Sequence, residues 1–186
     1  GATAVAKAFA ENTAAQPLVG STVYVIPVLN ISGYNRGQRW EMASGTYHDP
    51  NRDYPGPCGT EGPFNLKSTK ALADFLDKTP MVTSATLHTF YPGVLYPWGV
   101  STRDLETAYN ALFIELAKLA TVFSGYKVGN STEELYPADG TFEDYAFWKH
   151  GIWSLLFEMG FSHSPSPSAI TDMVNGNVPG LRNLFE

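Results

Sequence analysis

Apolar residues along this chain fall into short β-like runs separated by longer stripes at helical spacing. Residues 2–11 (ATAVAKAFAE) are Ala-rich, with apolar spacing that suits a helix covering a sheet. Residues 22–29 (TVYVIPVL) form a β-branched apolar run ending at Asn30, which predicts a buried strand. Residues 66–78 put Leu66, Ala71, Leu72, Phe75 and Leu76 on one helical face, and 81–88 (MVTSATLH) predict the next strand, with His88 at its carboxyl end. The clearest helix is 102–123. There Leu105, Tyr109, Leu112, Phe113, Leu116, Leu119, Ala120 and Phe123 recur at spacings of three and four, and Asp104 and Glu106 favour the amino-terminal dipole. Residues 152–159 (IWSLLFEM) predict another buried strand with Glu158 near its end, and 168–185 one or two short helices. This alternation predicts an α/β fold, a mixed and mostly parallel twisted sheet with helices on both faces. Residues 30–64, rich in Gly, Pro, Asn and Asp, read as a loop too long to be a plain connection, which marks a functional one.

Composition narrows the classes. The 186 residues fit one domain spanning 1–186. A net charge of −6 with only 12 scattered Lys and Arg argues against nucleic acid and against a polybasic membrane patch. Cys58 is the single cysteine, so no internal disulfide forms. No apolar stretch reaches the roughly 18 residues of a membrane span. The chain opens Gly-Ala-Thr inside a helical pattern, without an initiator Met or a signal-peptide pattern. The expectation is a partial domain that is incomplete at its N-terminus. Aromatic content of 13% suits a deep site and a well-packed core equally.

In open α/β sheets, ligands bind beyond the carboxyl ends of strands. Three groups sit at such ends: Asn30 with the following Arg36 and Arg39, then His88, then Glu158. A glutamate among Leu155, Leu156, Phe157 and Met159 is costly unless it is paired, metal-linked or active in proton transfer. A structural salt bridge is the plain alternative. A strand-end histidine such as His88 is more often structural than a ligand, and Arg36 and Arg39 also suit solvated loop charge.

The segment after His88 is more specific. HTFYPGVLYPWG resembles the His-Ser-Tyr…Leu-Tyr-Pro-aromatic-Gly segment of zinc metallocarboxypeptidases of the pancreatic A and B type. The Asn30–Gly33 turn resembles the family's Asn-Pro-Asp-Gly, with Ile31 and Ser32 replacing the middle pair. Asp49-Pro50-Asn51-Arg52-Asp53-Tyr54 resembles Asp-Leu-Asn-Arg-Asn-Phe, and Tyr126 to Glu158 lies on the family pattern without a gap. The resemblance covers nearly the whole chain. It implies that His88 is a zinc ligand, that Glu158 is the catalytic glutamate, and that Asn51 and Arg52 grip the substrate's terminal carboxylate. Tyr136 would be the mobile active-site tyrosine, and Arg39, with Arg36 as runner-up, the oxyanion arginine. Glu143 falls where the family separates apolar-tail from basic-tail cleavage, so it implies a preference for C-terminal Lys or Arg. A helix-start role for Glu143 and the adjacent Asp144 stays open.

The implied reaction is zinc-dependent hydrolysis of the C-terminal residue of a peptide or protein. A single catalytic zinc ion needs three protein ligands and an open position for water, and a carboxylate must carry the water's proton to the leaving amine. The family's other two ligands form a His-x-x-Glu motif at the start of the helix that residues 1–11 resemble. His48, His150 and His163 are not followed by an acid three positions on, and each suits a surface or supporting role. The expected partner is therefore an N-terminal fragment of the same protein, and the expected location secreted or periplasmic. A fragment from proteolysis, a degenerate peptide-tail binding module and an aspartoacylase-type deacylase stay open.

Overall fold

The computed structural model describes residues 1–58, 64–100 and 105–186. Helix α1 (Ala2–Ala15) leads by an irregular stretch to a short helix α2 (Ile31–Arg36) and a hairpin of β1 (Glu41–Ala43) with β2 (Thr46–His48). A 3-10 turn at Pro50–Arg52 and helix α3 (Lys67–Lys78) precede strands β3 (Thr83–His88) and β4 (Gly93–Tyr96). Then come α4 (Asn110–Thr121), β5 (Lys127–Asn130), α5 (Ser131–Glu134), α6 (Phe142–His150), β6 (Trp153–Glu158) and α7 (Pro167–Phe185).

The main sheet has the order β3-β6-β4-β5. β3 runs parallel to β6, and β4 parallel to β5, while β4 and β6 are antiparallel. The predicted mixed, mostly parallel sheet is therefore present, with β6 enclosed on both edges. Its residues alternate between two faces, Leu155 and Phe157 on one and Ser154, Leu156 and Glu158 on the other, as the period of two requires. Leu155, Phe157 and Met159 join α1, α4 and α7 in the larger core, with Val5, Phe9, Phe113, Ala117 and Leu181. A second cluster holds Tyr54, Ala73, Leu76, Phe142, Tyr145 and Ile152 around α3 and α6. Being covered on both faces explains why β6 reads as a continuous apolar run.

Several expectations change. Residues 22–29 form no strand. Val23 and Val25 pack against the larger core, but Tyr24 and Ile26 stay half exposed. Apolar patterning alone does not make a strand without a ladder partner, and β3 forms no ladder on its side away from β6. The predicted helix 102–123 is helical over Asn110–Thr121; Asp104 and the rest of 102–104 lie outside the described residues. Its buried face is Phe113, Ala117, Ala120 and Thr121, whereas Leu105, Tyr109, Leu112, Leu119 and Phe123 are exposed. Small residues on α4 let α7 approach closely. The stretch 168–185 is a single helix that starts on Pro167 behind a Ser166 cap and carries Pro179 inside it. The expected loop 30–64 contains α2, the hairpin and the 3-10 turn, with 59–63 outside the described residues.

The α4–α7 crossing generates a stability prediction. A Cβ on Gly180 would sit 2.0 Å from the Ala120 carbonyl oxygen, which is backbone and cannot swing aside. Gly180→Ala is expected to destabilise the fold by about 1–3 kcal/mol, the usual range for overpacking, as read from urea denaturation.

Candidate functional site

The β3–β6 register sets His88 directly opposite Glu158 at the carboxyl ends of both strands. The two side chains face each other, with His88 Nδ1 3.7 Å from Glu158 Oε1. Burial lowers the pKa of His88, with the Glu143 carboxylate opposing the shift. At neutral pH the imidazole is thus uncharged, the form that can ligate a metal. Burial raises the Glu158 pKa to about 7, helped by Glu143 and opposed by the Arg39 and Arg52 guanidiniums. Its Oε2 is buried and makes no hydrogen bond. A carboxyl group in that range exchanges protons readily near neutral pH.

The long segment between α1 and α3 brings in the cations. Asn30 caps α2 by accepting from the Gly33 N–H at 2.7 Å, and its amide donates to the Arg39 carbonyl at 2.9 Å. The αL turn at Gly37 reverses the chain after α2. Arg39 Nε then donates to Asp49 Oδ2 at 2.7 Å. Arg36 lies instead over the Tyr47 ring of the hairpin, 5.9 Å from its centroid. Asp49 caps the 3-10 turn, accepting from the Asn51 N–H at 3.0 Å, and so positions Asn51 and Arg52. Arg52 Nη2 donates to the half-exposed Tyr136 hydroxyl at 3.1 Å, and its guanidinium stands 5.8 Å from that ring's centroid.

Buried polar contacts tie this segment to α6. The Asn51 side chain accepts from the Phe142 N–H at 2.8 Å and donates to Glu143 Oε2 at 3.4 Å. Thr86, two residues before His88 and so on the same face of β3, donates to Glu143 Oε1. Glu143 is only 3% exposed, held between β3 and Asn51. Asp144 turns elsewhere, both oxygens accepting from the Gly99 N–H. The two acids at the start of α6 are therefore separated, one toward the site and one into the 98–99 loop. Gly140 lets this layer close, since a Cβ there would meet the Arg52 carbonyl at 2.7 Å.

All seven candidate residues, His88, Glu158, Arg39, Asn51, Arg52, Tyr136 and Glu143, thus belong to connected elements at one end of the sheet. Asp49 and Asp53 stand in the quoted motif without a role of their own, and Thr86 lies outside every motif. Asp49 had a signal, an Asp before Pro at a turn start. Thr86 had only its parity with His88, and Asp53 only its place beside Arg52 in the motif. His48 ends β2, His150 contacts the Tyr145 hydroxyl at 3.2 Å, and His163 packs on Phe90 with ring centroids 4.7 Å apart. As a fit to zinc, His88 suits one ligand position. Among the described residues no group of three His, Cys, Asp or Glu is placed to hold a metal ion, so these residues alone fall short of a catalytic donor set.

Two predictions follow from the buried acids around the site. Asp53 accepts from the Asn65 N–H and amide, the Leu66 N–H and the Thr69 hydroxyl. Asp53→Ala leaves these donors unmatched and is expected to cost at least about 2 kcal/mol in chemical denaturation. Burial raises the Asp144 pKa from 3.8 to about 7. The stability linked to that bound proton is full below the unfolded pKa and lost as pH rises toward about 7. Denaturation at stepped pH should therefore show Asp144→Asn gaining on the natural protein between pH 4 and 7, with no further gain above.

With this geometry in view, the similarities to known proteins are specific. The family profile for zinc carboxypeptidases matches residues 2–180. Carboxypeptidase B of Homo sapiens is 30% identical over 169 residues, covering 73% of this chain and 40% of that protein. The chain thus spans about 40% of the length of the carboxypeptidase B relatives it matches. Bovine thrombin-activatable fibrinolysis inhibitor, solved in complex with tick carboxypeptidase inhibitor, superposes with a TM-score of 0.85 at 18% identity, covering 98% of this chain and 75% of that one. The succinylglutamate desuccinylase/aspartoacylase of Rhodobacter sphaeroides gives 0.59 at 18% identity, covering 98% and 51%. At such identities the structures establish the fold alone, and it is the match over residues 2–180 that shows this chain to belong to the zinc carboxypeptidase family.

Proposed function

We propose that this chain supplies the substrate-gripping and proton-transferring part of a metallocarboxypeptidase site that releases the C-terminal residue of a peptide or protein. The observation that carries this reading is the meeting of His88 and Glu158, 3.7 Å apart, with Arg39, Arg52, Asn51 and Tyr136 at the same sheet end. A bound zinc ion would supply Lewis-acid polarisation of the scissile carbonyl and acidify water. His88 would be one of its ligands, and an upstream or N-terminal segment of the same protein would supply the other two. Residues 1–186 would then be one partial domain of a secreted or periplasmic protein.

The roles of the remaining residues follow from their chemistry. Arg52 presents a planar fork suited to the two oxygens of a terminal carboxylate, and Asn51 beside it adds an amide. A free C-terminus, rather than an internal bond, is what such a clamp selects. Tyr136, half exposed and joined to Arg52 by one hydrogen bond, is able to close over the bound tail. Arg39, held by Asp49, would face the oxygen that gains negative charge. Glu158 would take the proton of the attacking water and pass it to the leaving amine. Glu143 places a carboxylate beside this site, which supports a preference for C-terminal Lys or Arg.

Assays on protein that includes the upstream segment test this. Peptides with free C-termini should be cleaved and their amidated counterparts left intact; equal cleavage sinks the proposal. Turnover of N-acyl amino acids in place of peptides would favour the aspartoacylase-type alternative, and absence of any zinc-dependent hydrolysis the binding-module one. Glu158→Gln should lower kcat by about 100-fold or more with zinc still bound by metal analysis. Glu143→Gln should lower kcat/KM for a C-terminal Lys relative to Leu by roughly tenfold or more.

A further inference from the structure

Helix α4 has two apolar faces, and the fold uses only one of them. Phe113, Ala117, Ala120 and Thr121 are buried, and the helix packs on β4, β5 and α7. The other face carries Tyr109, Leu112, Leu116, Leu119 and Phe123, at successive spacings of three, four, three and four. That is the spacing of a seam between two helices. Tyr109, Leu112, Leu119 and Phe123 are 54%, 49%, 50% and 57% exposed, while Leu116 is partly buried. An aromatic side chain carries about 150–250 Å². At half exposure the stripe therefore leaves on the order of 500 Å² of contiguous apolar surface in water, near the upper end for a monomer. Two such stripes placed face to face bury about 1,000 Å², the size at which an interface becomes specific.

The stripe is nearly a palindrome. Counted from Leu116, an aromatic residue lies seven positions to either side, and a leucine lies four before and three after. A two-fold axis beside Leu116, relating antiparallel helices, sets Tyr109 against Phe123 of a second copy and Leu112 against Leu119 of that copy. Leu116 then meets its own equivalent. This is the self-complementarity that an isologous contact requires. The charges agree with it. Glu115 and Lys118 are both exposed beside the stripe, and the same axis brings Glu115 of each copy next to Lys118 of the other. A parallel pair would set Glu115 against Glu115, which is unfavourable.

We infer that α4 is the contact face of a homodimer, an antiparallel helix pair about a two-fold axis beside Leu116. The sheet order β3-β6-β4-β5 keeps this contact on the β4–β5 side, away from His88 and Glu158 at the ends of β3 and β6. The inference rests on the pattern and exposure of α4 and not on the peptidase reading.

Sedimentation equilibrium of this chain, without zinc or substrate, tests the pairing, so its failure and that of the peptidase proposal are separable. The mass is expected to rise from monomer to dimer between about 1 and 100 µM, the range of a modest interface. L112E and L119K should each weaken self-association by about tenfold or more. Both positions are half exposed, so the urea midpoint at low concentration should stay that of the natural chain. An equal mixture of L112E and L119K should associate at least about tenfold more tightly than either alone, because the two introduced charges meet only in the antiparallel register. Protein that includes the upstream segment should form the same dimer. Overturning results are a monomer at every concentration, a dimer indifferent to L112E, or a mixture no tighter than its components. Loss of the dimer when the upstream segment is present would also overturn it, since the rest of the same polypeptide would then cover α4.

Discussion

The parallel pairing of β3 with β6 is the contact on which the rest of the site depends. It sets His88 against Glu158 and Thr86 against Leu156, so one face at the carboxyl end of the sheet gathers an imidazole and a carboxylate. Neither residue has a charged neighbour on its own strand. Their electrostatics come from Arg39, Arg52 and Glu143, all delivered by other elements. A slip of one residue in this register would turn Glu158 into the apolar layer of α1 and α7, because side-chain parity would reverse. The continuous apolar filling around Leu155, Phe157 and Met159 therefore serves chemistry as much as stability.

Around that pair the protein keeps a connected set of buried polar groups. Glu143 is held by Thr86 and Asn51, Asn51 also accepts from the α6 backbone, and Asp49 holds both Arg39 and the turn that presents Arg52. Asp53 fastens the same turn to the start of α3. Leaving a buried polar group unpaired is costly, so each member constrains its neighbours. The two arginines are thereby fixed relative to Glu158 without touching it. Their charge moderates the rise in its pKa that burial causes, leaving a carboxyl group near neutrality rather than one locked in either form.

Membership of the zinc carboxypeptidase family is matched only in part by the donors gathered at the site. The described residues gather one imidazole, that of His88, beside the Glu158 carboxylate but no complete donor set for a metal.

Much of this was legible in the chain itself. The two central strands, α1, α3 and the α/β class followed from apolar periodicity, because elements covered on both faces leave continuous apolar runs. His88 and Glu158 stood out as polar groups at the ends of such runs, and motif order supplied Asn51, Arg52, Tyr136 and Glu143. Residues 22–29 misled for the same reason that 153–158 did not: patterning reports burial, whereas a strand also needs a backbone neighbour. The stripe of α4 misled because spacing finds a face but not which face a partner helix selects, and here Gly180 of α7 packs on the Ala120 backbone. Sequence determined which residues are chemically able to act. Only the tertiary structure separated Arg39 from Arg36 and Glu143 from Asp144, because a few residues of loop path decide which charge reaches the site and which finds another partner.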